Sequence, residues 1–263
     1  MNLRRTLLVS LMLGFHVQGM QKSPGEKELQ QGLERLQQAY PQAIKSWTLE
    51  EVHWKDGTVL PVKVRTRAGT YSWMLDHADL RDQVSQPYPT CLPLSTPVYL
   101  SDPGRVRSEV FFKKLYGQTP QEVESNLVPV KWLGGTVKFQ GLHGAAAALR
   151  RVEQALQKNP ELQKYVTPHQ GTYLWRKVAG TERLSMHSFG IAIDLNGKHS
   201  NYWKYHKYQE GQKGIVYRNQ IPEKLVFLFE REGFVWGGRW YHFDTMHFEY
   251  RPEMIDPSKC PIQ

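Results

Sequence analysis

Residues 185–197 read SMHSFGIAIDLNG, and this stretch constrains the chain more than any other. His187 and Asp194 stand seven residues apart with little but small or apolar residues between them. On a straight strand that spacing spans roughly 23 Å, whereas the ligands of one metal ion sit about 2 Å from it. Sharing an ion therefore requires a turn, which Ser188, Phe189 and Gly190 can supply. Beyond it, Ile191 and Ile193 face a core while Gly190, Ala192 and Asp194 share the opposite face, leaving room beside the carboxylate.

A metal in this chain has to rest on histidines and carboxylates, because Cys91 and Cys260 are its only cysteines and cannot build a cysteine-based structural zinc site. In an oxidising compartment they can pair; in a reducing one they stay free thiols. The richest source of a third ligand is GFVWGGRWYHFDTMHFEYRP, where His247 opens an alternating run through Phe248, Glu249 and Tyr250. His242 competes locally, and the residues themselves do not decide between the two. Two histidines and one aspartate leave zinc a fourth position for water, as a catalytic site needs. Asp244, three residues before His247, is placed to act as base if the chain turns at Thr245 and Met246. Its bland role is a local pair, for example with Arg239.

The run from Ser185 to Asp194 fits the pattern SxHxxGxAxD, and the run Asp244-Thr245-Met246-His247-Phe248 fits DxxHF. Together they resemble VanY-like zinc D-alanyl-D-alanine carboxypeptidases and L-alanyl-D-glutamate endopeptidases, over about residues 130–255. The resemblance implies a hedgehog-type α+β fold, an antiparallel sheet flanked by helices. It also implies one Zn2+ ion on His187, Asp194 and His247, with Asp244 as catalytic base. An upstream arginine that polarises the scissile carbonyl or holds substrate falls on Arg176. Ser185 is expected to orient His187 through a hydrogen bond. The implied substrates are peptides of bacterial peptidoglycan, cut as a D-Ala-D-Ala carboxypeptidase or an L-Ala-D-Glu type endopeptidase. The alternative is a zinc-stabilised wall-binding module of the same fold without catalysis.

The start, MNLRRTLLVSLMLGFHVQG, has two arginines, an apolar run and a small residue, the anatomy of a secretory signal. Residues 1–19 are thus expected to be a signal peptide, its apolar run shorter than the ~20 residues that span a bilayer. Localisation follows as periplasm or cell envelope, with no membrane span after removal. Loss of Arg4 and Arg5 takes the formal charge from +9 to +7, which suits anionic surroundings; no nucleic-acid module accompanies it.

Residues 20–125 are expected to form an N-terminal extension and 126–263 a zinc peptidase domain, as a monomer. In the extension, 25–39 reads as a helix and 46–64 as a hairpin around Asp56 and Gly57. Residues 76–104 lack period, 105–116 read as a helix, and Thr119-Pro120-Gln121-Glu122 carries a capping signature for another. Further on, 145–157 and 222–232 read as helices, while 171–180, 190–195, FVWGG and MHFEYR read as strands. The mixture lacks a repeating strand-helix unit, which favours α+β. The aromatic run NYWKYHKYQEG at 201–211 suits either a cleft cover or surface packing.

Overall fold

The structure is a computed structural model and describes residues 24–64, 70–206 and 214–261. The expected export segment lies outside them. Helix α1 (Pro24–Ala39) buries Leu29, Leu33 and Leu36 on one stripe, as their spacing requires, and is followed by the buried Tyr40. Strands β1 (Ile44–Trp47), β2 (Glu51–Trp54) and β3 (Val59–Pro61) form an antiparallel sheet in that order. The expected hairpin is its β2–β3 half, and the Asp56 carboxylate closes the turn by accepting from the Thr58 amide at 3.0 Å.

Short helices α2 (Tyr71–Asp76) and α3 (Leu80–Val84) follow, the second opened by a reciprocal capping box between Asp79 and Asp82. Helix α4 (Glu109–Tyr116) begins only where the Ser108 hydroxyl caps it, so 105–107 stay outside the helix that the sequence extends over them. Helix α5 (Pro120–Glu124) carries the Thr119 cap that its signature predicts.

Strands β4 (Leu127–Trp132) and β5 (Gly135–Gln140) form a hairpin that sequence reading does not find. It turns through Leu133 and Gly134, both at positive φ, and lacks the usual Asn-Gly signature. Helix α6 (Ala145–Gln157) packs against β4, and the short α7 (Gln163–Val166) follows. Strand β6 (Ala192–Asp194), helix α8 (Glu223–Arg231) and strands β7 (Phe234–Trp236) and β8 (His247–Tyr250) complete the chain. The last three strands form an antiparallel sheet of order β6-β8-β7. Mixed helices and small antiparallel sheets agree with the α+β expectation.

Residues 171–180 are not the strand that their composition suggests. Only Gly171 and Lys177 make isolated bridges, to Asp194 and Leu184. Two groups between them turn to the histidine-bearing turn: Leu174 donates to the His187 carbonyl, and Ser188 Oγ accepts from Arg176 N at 2.9 Å.

One buried apolar cluster runs from Leu29 through Phe111, Phe112 and Phe189 to Phe248 and Tyr250, so the N-terminal stretch shares its core with β6 and β8. Cys91 and Cys260 are joined in a disulfide across 169 residues. Among the described residues no helix is long and apolar enough to cross a membrane.

Candidate metal centre

Ser185 starts the site by capping a short 3-10 turn over Met186–Phe189, its hydroxyl accepting from the His187 amide at 3.4 Å. Gly190 ends that turn at φ 68°, a left-handed conformation natural to glycine, and a Cβ there would stand 2.4 Å from Leu127 Cδ2. Its carbonyl accepts from Gln140 at the end of β5. The reversal predicted from the His187–Asp194 spacing is therefore built by the turn and buttressed by the hairpin.

Register supplies the next step. In the β6–β8 pair Asp194 lies directly opposite His247, bringing residues 53 apart in sequence into contact. His247 Nδ1 is 2.9 Å from Asp194 Oδ1, and His187 Nε2 is 3.1 Å from Asp194 Oδ2. One ligand atom from each of the three residues lies within 4.8 Å of the others. His242, the local competitor, points elsewhere and binds Asp102 Oδ2 through Nδ1 at 2.6 Å.

The outer ring nitrogens are held by acceptors. His187 Nδ1 is 3.1 Å from the Thr172 carbonyl, and His247 Nε2 is 2.9 Å from Glu249 Oε2. Each contact keeps a hydrogen on the outer nitrogen, so that the inner one, once it gives up its proton, is free to ligate a metal beside Asp194. His187 Nε2 is buried with no hydrogen-bond partner. Two imidazole nitrogens and a carboxylate converging on one point, one of the nitrogens an orphaned buried atom, fit a divalent metal ion. Ser185 acts on the backbone of His187; the contact that orients the ring comes from Thr172, because the capped turn directs Nδ1 to that carbonyl.

Charge follows the same geometry. Burial raises the Asp194 pKa, but the two imidazoles beside it outweigh that and hold the group well below the usual carboxylate range. Burial lowers the His247 pKa, yet Asp194 and Glu249 together hold it up at about 10. Glu249 is pushed up by burial but drawn down to about 2 by His247, Arg107 and Arg251. Asp244 goes the other way: burial first, then the Asp194 charge, raise it to about 6. Its Oδ1 is buried without a hydrogen-bond partner. Arg239 does not pair with it, being committed to Glu230 at 2.6 Å.

The cluster opens into a cleft of about 250 Å³ lined by His187, Asp194, His247, Asp244, Ser185 and Arg176. The Asp244 carbonyl is so close to Gly237 that a Cβ there would come within 2.4 Å of it, so the Trp236-Gly237-Gly238 run allows Asp244 its approach. Arg176 lies exposed in the cleft wall, one guanidinium nitrogen 3.4 Å from the Lys177 carbonyl. Tyr202 and Tyr205, from the aromatic run, line the cleft too; residues 207–213 lie outside the described residues.

Sequence reading misses Thr172, Glu249, Arg105, Arg107 and Arg183 as parts of this site. Glu249 has a signal, since it lies two residues after His247 on the same strand face. Thr172 acts through its backbone, and Arg105 and Arg107 come from a segment without a motif.

No curated protein and no solved structure matches the chain. Residues 179–250, which carry both motifs and all three ligand candidates, match the family model described as D-alanyl-D-alanine carboxypeptidase, the family that the motifs resemble.

Proposed function

We propose that this protein is an exported zinc metallopeptidase that hydrolyses amide bonds in peptidoglycan stem peptides. The convergence of His187, Asp194 and His247 beside Asp244 in one cleft is the observation that carries the reading. A zinc ion held by the first three residues supplies a Lewis acid that polarises a peptide carbonyl and makes water more acidic. Asp244, with its pKa raised to about 6, takes the proton from the attacking water and returns it to the leaving amine. Arg176, exposed in the cleft wall, steadies the developing oxyanion or a substrate carboxylate. Ser185 holds the His187 turn, and Thr172 and Glu249 hold the two imidazoles in the tautomers that ligation needs.

Export as a single chain to the periplasm or cell envelope belongs to the same reading, as does a hedgehog-type fold for 126–263 behind an N-terminal extension. The Cys91–Cys260 disulfide supports export, because such bonds persist in oxidising compartments. Asp244 in the cleft favours an active peptidase over a wall-binding module. Digesting purified peptidoglycan with the zinc-loaded protein and weighing the products tests the proposal: released peptides are expected, and their masses name the bond. A protein that binds no zinc, or an Asp244→Ala variant with undiminished release, would overturn it.

A further inference from the structure

Between the 3-10 turn that ends at Arg239 and the start of β8 at His247, the chain that carries Asp244 has no helix or strand of its own. The Asp244 carboxylate takes little aim from its own contacts, since its Oδ1 is buried without a hydrogen-bond partner. Where it stands is therefore set by the backbone around it. Part of that backbone is held by near neighbours: the Asp244 amide donates to the Gly237 carbonyl at 3.0 Å, Trp203 donates to the Phe243 carbonyl, and Thr245 to the Asn201 carbonyl.

The rest is held by residues 101–105, far upstream and outside the matched stretch. The Tyr241 amide donates to the Ser101 carbonyl at 2.8 Å, the Trp240 indole to the Pro103 carbonyl, and Arg105 to the His242 carbonyl at 2.7 Å. At the centre Asp102, wholly buried, meets His242 with both carboxylate oxygens: Oδ1 accepts from the backbone amide at 2.9 Å, and Oδ2 lies 2.6 Å from ring Nδ1. The Trp203 ring stands edge-on to the same imidazole, with centroids 4.7 Å apart. The gripping segment is itself anchored. Its Gly104 carbonyl accepts from the buried Arg251 at 3.0 Å, and the Arg105 amide closes a turn on the Asp102 carbonyl. A side chain that binds the amide and the ring of one residue together fixes its backbone and its rotamer at once.

We propose that Asp102 is a positioning residue for turnover: through His242 it fixes the backbone that leads to Asp244, and so the aim of that carboxylate into the cleft. The inference rests on the reading of Asp244 as the base of a peptidase. It gives residues 101–105 a share in turnover and leaves the metal to His187, Asp194 and His247, which are held by Thr172, Glu249 and the β6–β8 register instead. Misplacing a reacting group by about 1 Å costs on the order of 10²-fold in rate. Loosening the grip on His242 therefore lowers kcat and spares zinc binding.

The test compares the zinc-loaded full chain with Asp102→Asn, His242→Ala and His242→Asn on solubilised muropeptides, well below the melting temperature of each. Asparagine at 242 keeps a donor close to where Nδ1 stands, and alanine removes it. The expected kcat is ~10–100-fold lower in Asp102→Asn and His242→Ala and returns to within ~3-fold of the parent in His242→Asn, with KM within ~3-fold throughout. Zinc affinity, read in competition with a chelator, stays at the parent value. Amide hydrogen exchange, read by mass spectrometry, rises over 240–245 in the first two variants and not over 187–194. If Asp102→Asn does not fold, the two His242 variants carry the test. A kcat within ~2-fold of the parent in His242→Ala would overturn the inference, because His242 would not aim the base. A loss of kcat matched by a loss of zinc affinity would overturn it too, because the contact would then merely hold the fold. A parent that cleaves no peptide removes the peptidase reading instead, and exchange over 240–245 then decides whether Asp102 holds that segment.

Discussion

The two halves of the site are written in the sequence in different ways. His187, Asp194, Asp244 and His247 all lie within 179–250, and turn geometry plus one strand register bring them together. The opposite wall is drawn from 75–107, where Asp76, Arg105 and Arg107 have no motif and the two arginines are held by backbone carbonyls. Chemistry that needs fixed ligand spacing leaves a pattern; a wall that needs only charge and room does not. The difference is expected to show in variants: changes on the motif side abolish turnover or metal, and changes on the N-terminal side lower turnover with the metal kept, or shift stability.

The largest effect expected is on Asp244. Asp244→Asn should lower turnover by ~10²–10⁴-fold while zinc stoichiometry stays at that of the parent, read by steady-state kinetics and metal analysis. Activity of the parent should fall toward acid pH as Asp244, whose carboxyl burial pushes up, becomes protonated, read from the pH dependence of kcat/KM. The stability sign is opposite to that of a paired carboxylate. A carboxyl whose folded pKa lies above its unfolded value favours folding when protonated. That contribution is present below about 4 and lost as pH rises through about 6. Metal-free Asp244→Asn should therefore melt higher than the parent at pH 7, and an equal or lower melting temperature would remove the base from its buried, charge-crowded position.

Reduction of Cys91–Cys260 comes next and probes the side without a motif. The bond closes a loop of 169 residues, so opening it should cost on the order of 2–5 kcal/mol in chemical denaturation. Its reach is local as well. The Cys91 amide donates to Glu230, which also binds Arg239 and the Tyr88 hydroxyl, and that hydroxyl accepts from the Trp236 amide on β7. Sequence reading leaves this stretch as irregular because its order comes from single side chains reaching a distant helix and strand, which no periodicity encodes. The β4–β5 hairpin is hidden for a related reason: its turn uses Leu133 at positive φ, and its last residue, Gln140, donates to the distant Gly190 carbonyl. Helices α1, α5 and α6 are legible because stripe and caps are local.

Glu249→Gln sharpens the comparison on the motif side. The amide keeps the shape but removes the charge that holds His247, so zinc affinity should fall by ~10–100-fold in competition with a chelator. Burial favours the neutral acid, but His247, Arg107 and Arg251 hold the folded pKa at about 2. Its contribution to stability is present above about 4 and lost as pH falls toward 2, a slope the variant should lack. Zinc loading should also release a proton, because His247 carries one below about 10 when metal-free; calorimetry in buffers of different ionisation enthalpy measures it.

The smallest effect tests whether the two halves are energetically separate. From Glu249 a buried polar chain runs to the N-terminal stretch: Arg251 donates to Glu249 at 2.9 Å and to Glu253 at 2.6 Å, and Glu253 accepts from Tyr40 at 2.8 Å. Tyr40→Phe removes the last donor and keeps the ring packed on Phe111. Stability should drop by about 1 kcal/mol in urea unfolding, the net value of one buried hydrogen bond. Zinc affinity should stay within ~2-fold of the parent, because Arg251 still pairs with both Glu249 and Glu253 and keeps the Glu249 carboxylate on His247. A tenfold loss of zinc affinity in Tyr40→Phe would mean that the chain from Tyr40 to His247 responds as one unit, and that the N-terminal stretch positions the metal ligands as well as the cleft wall.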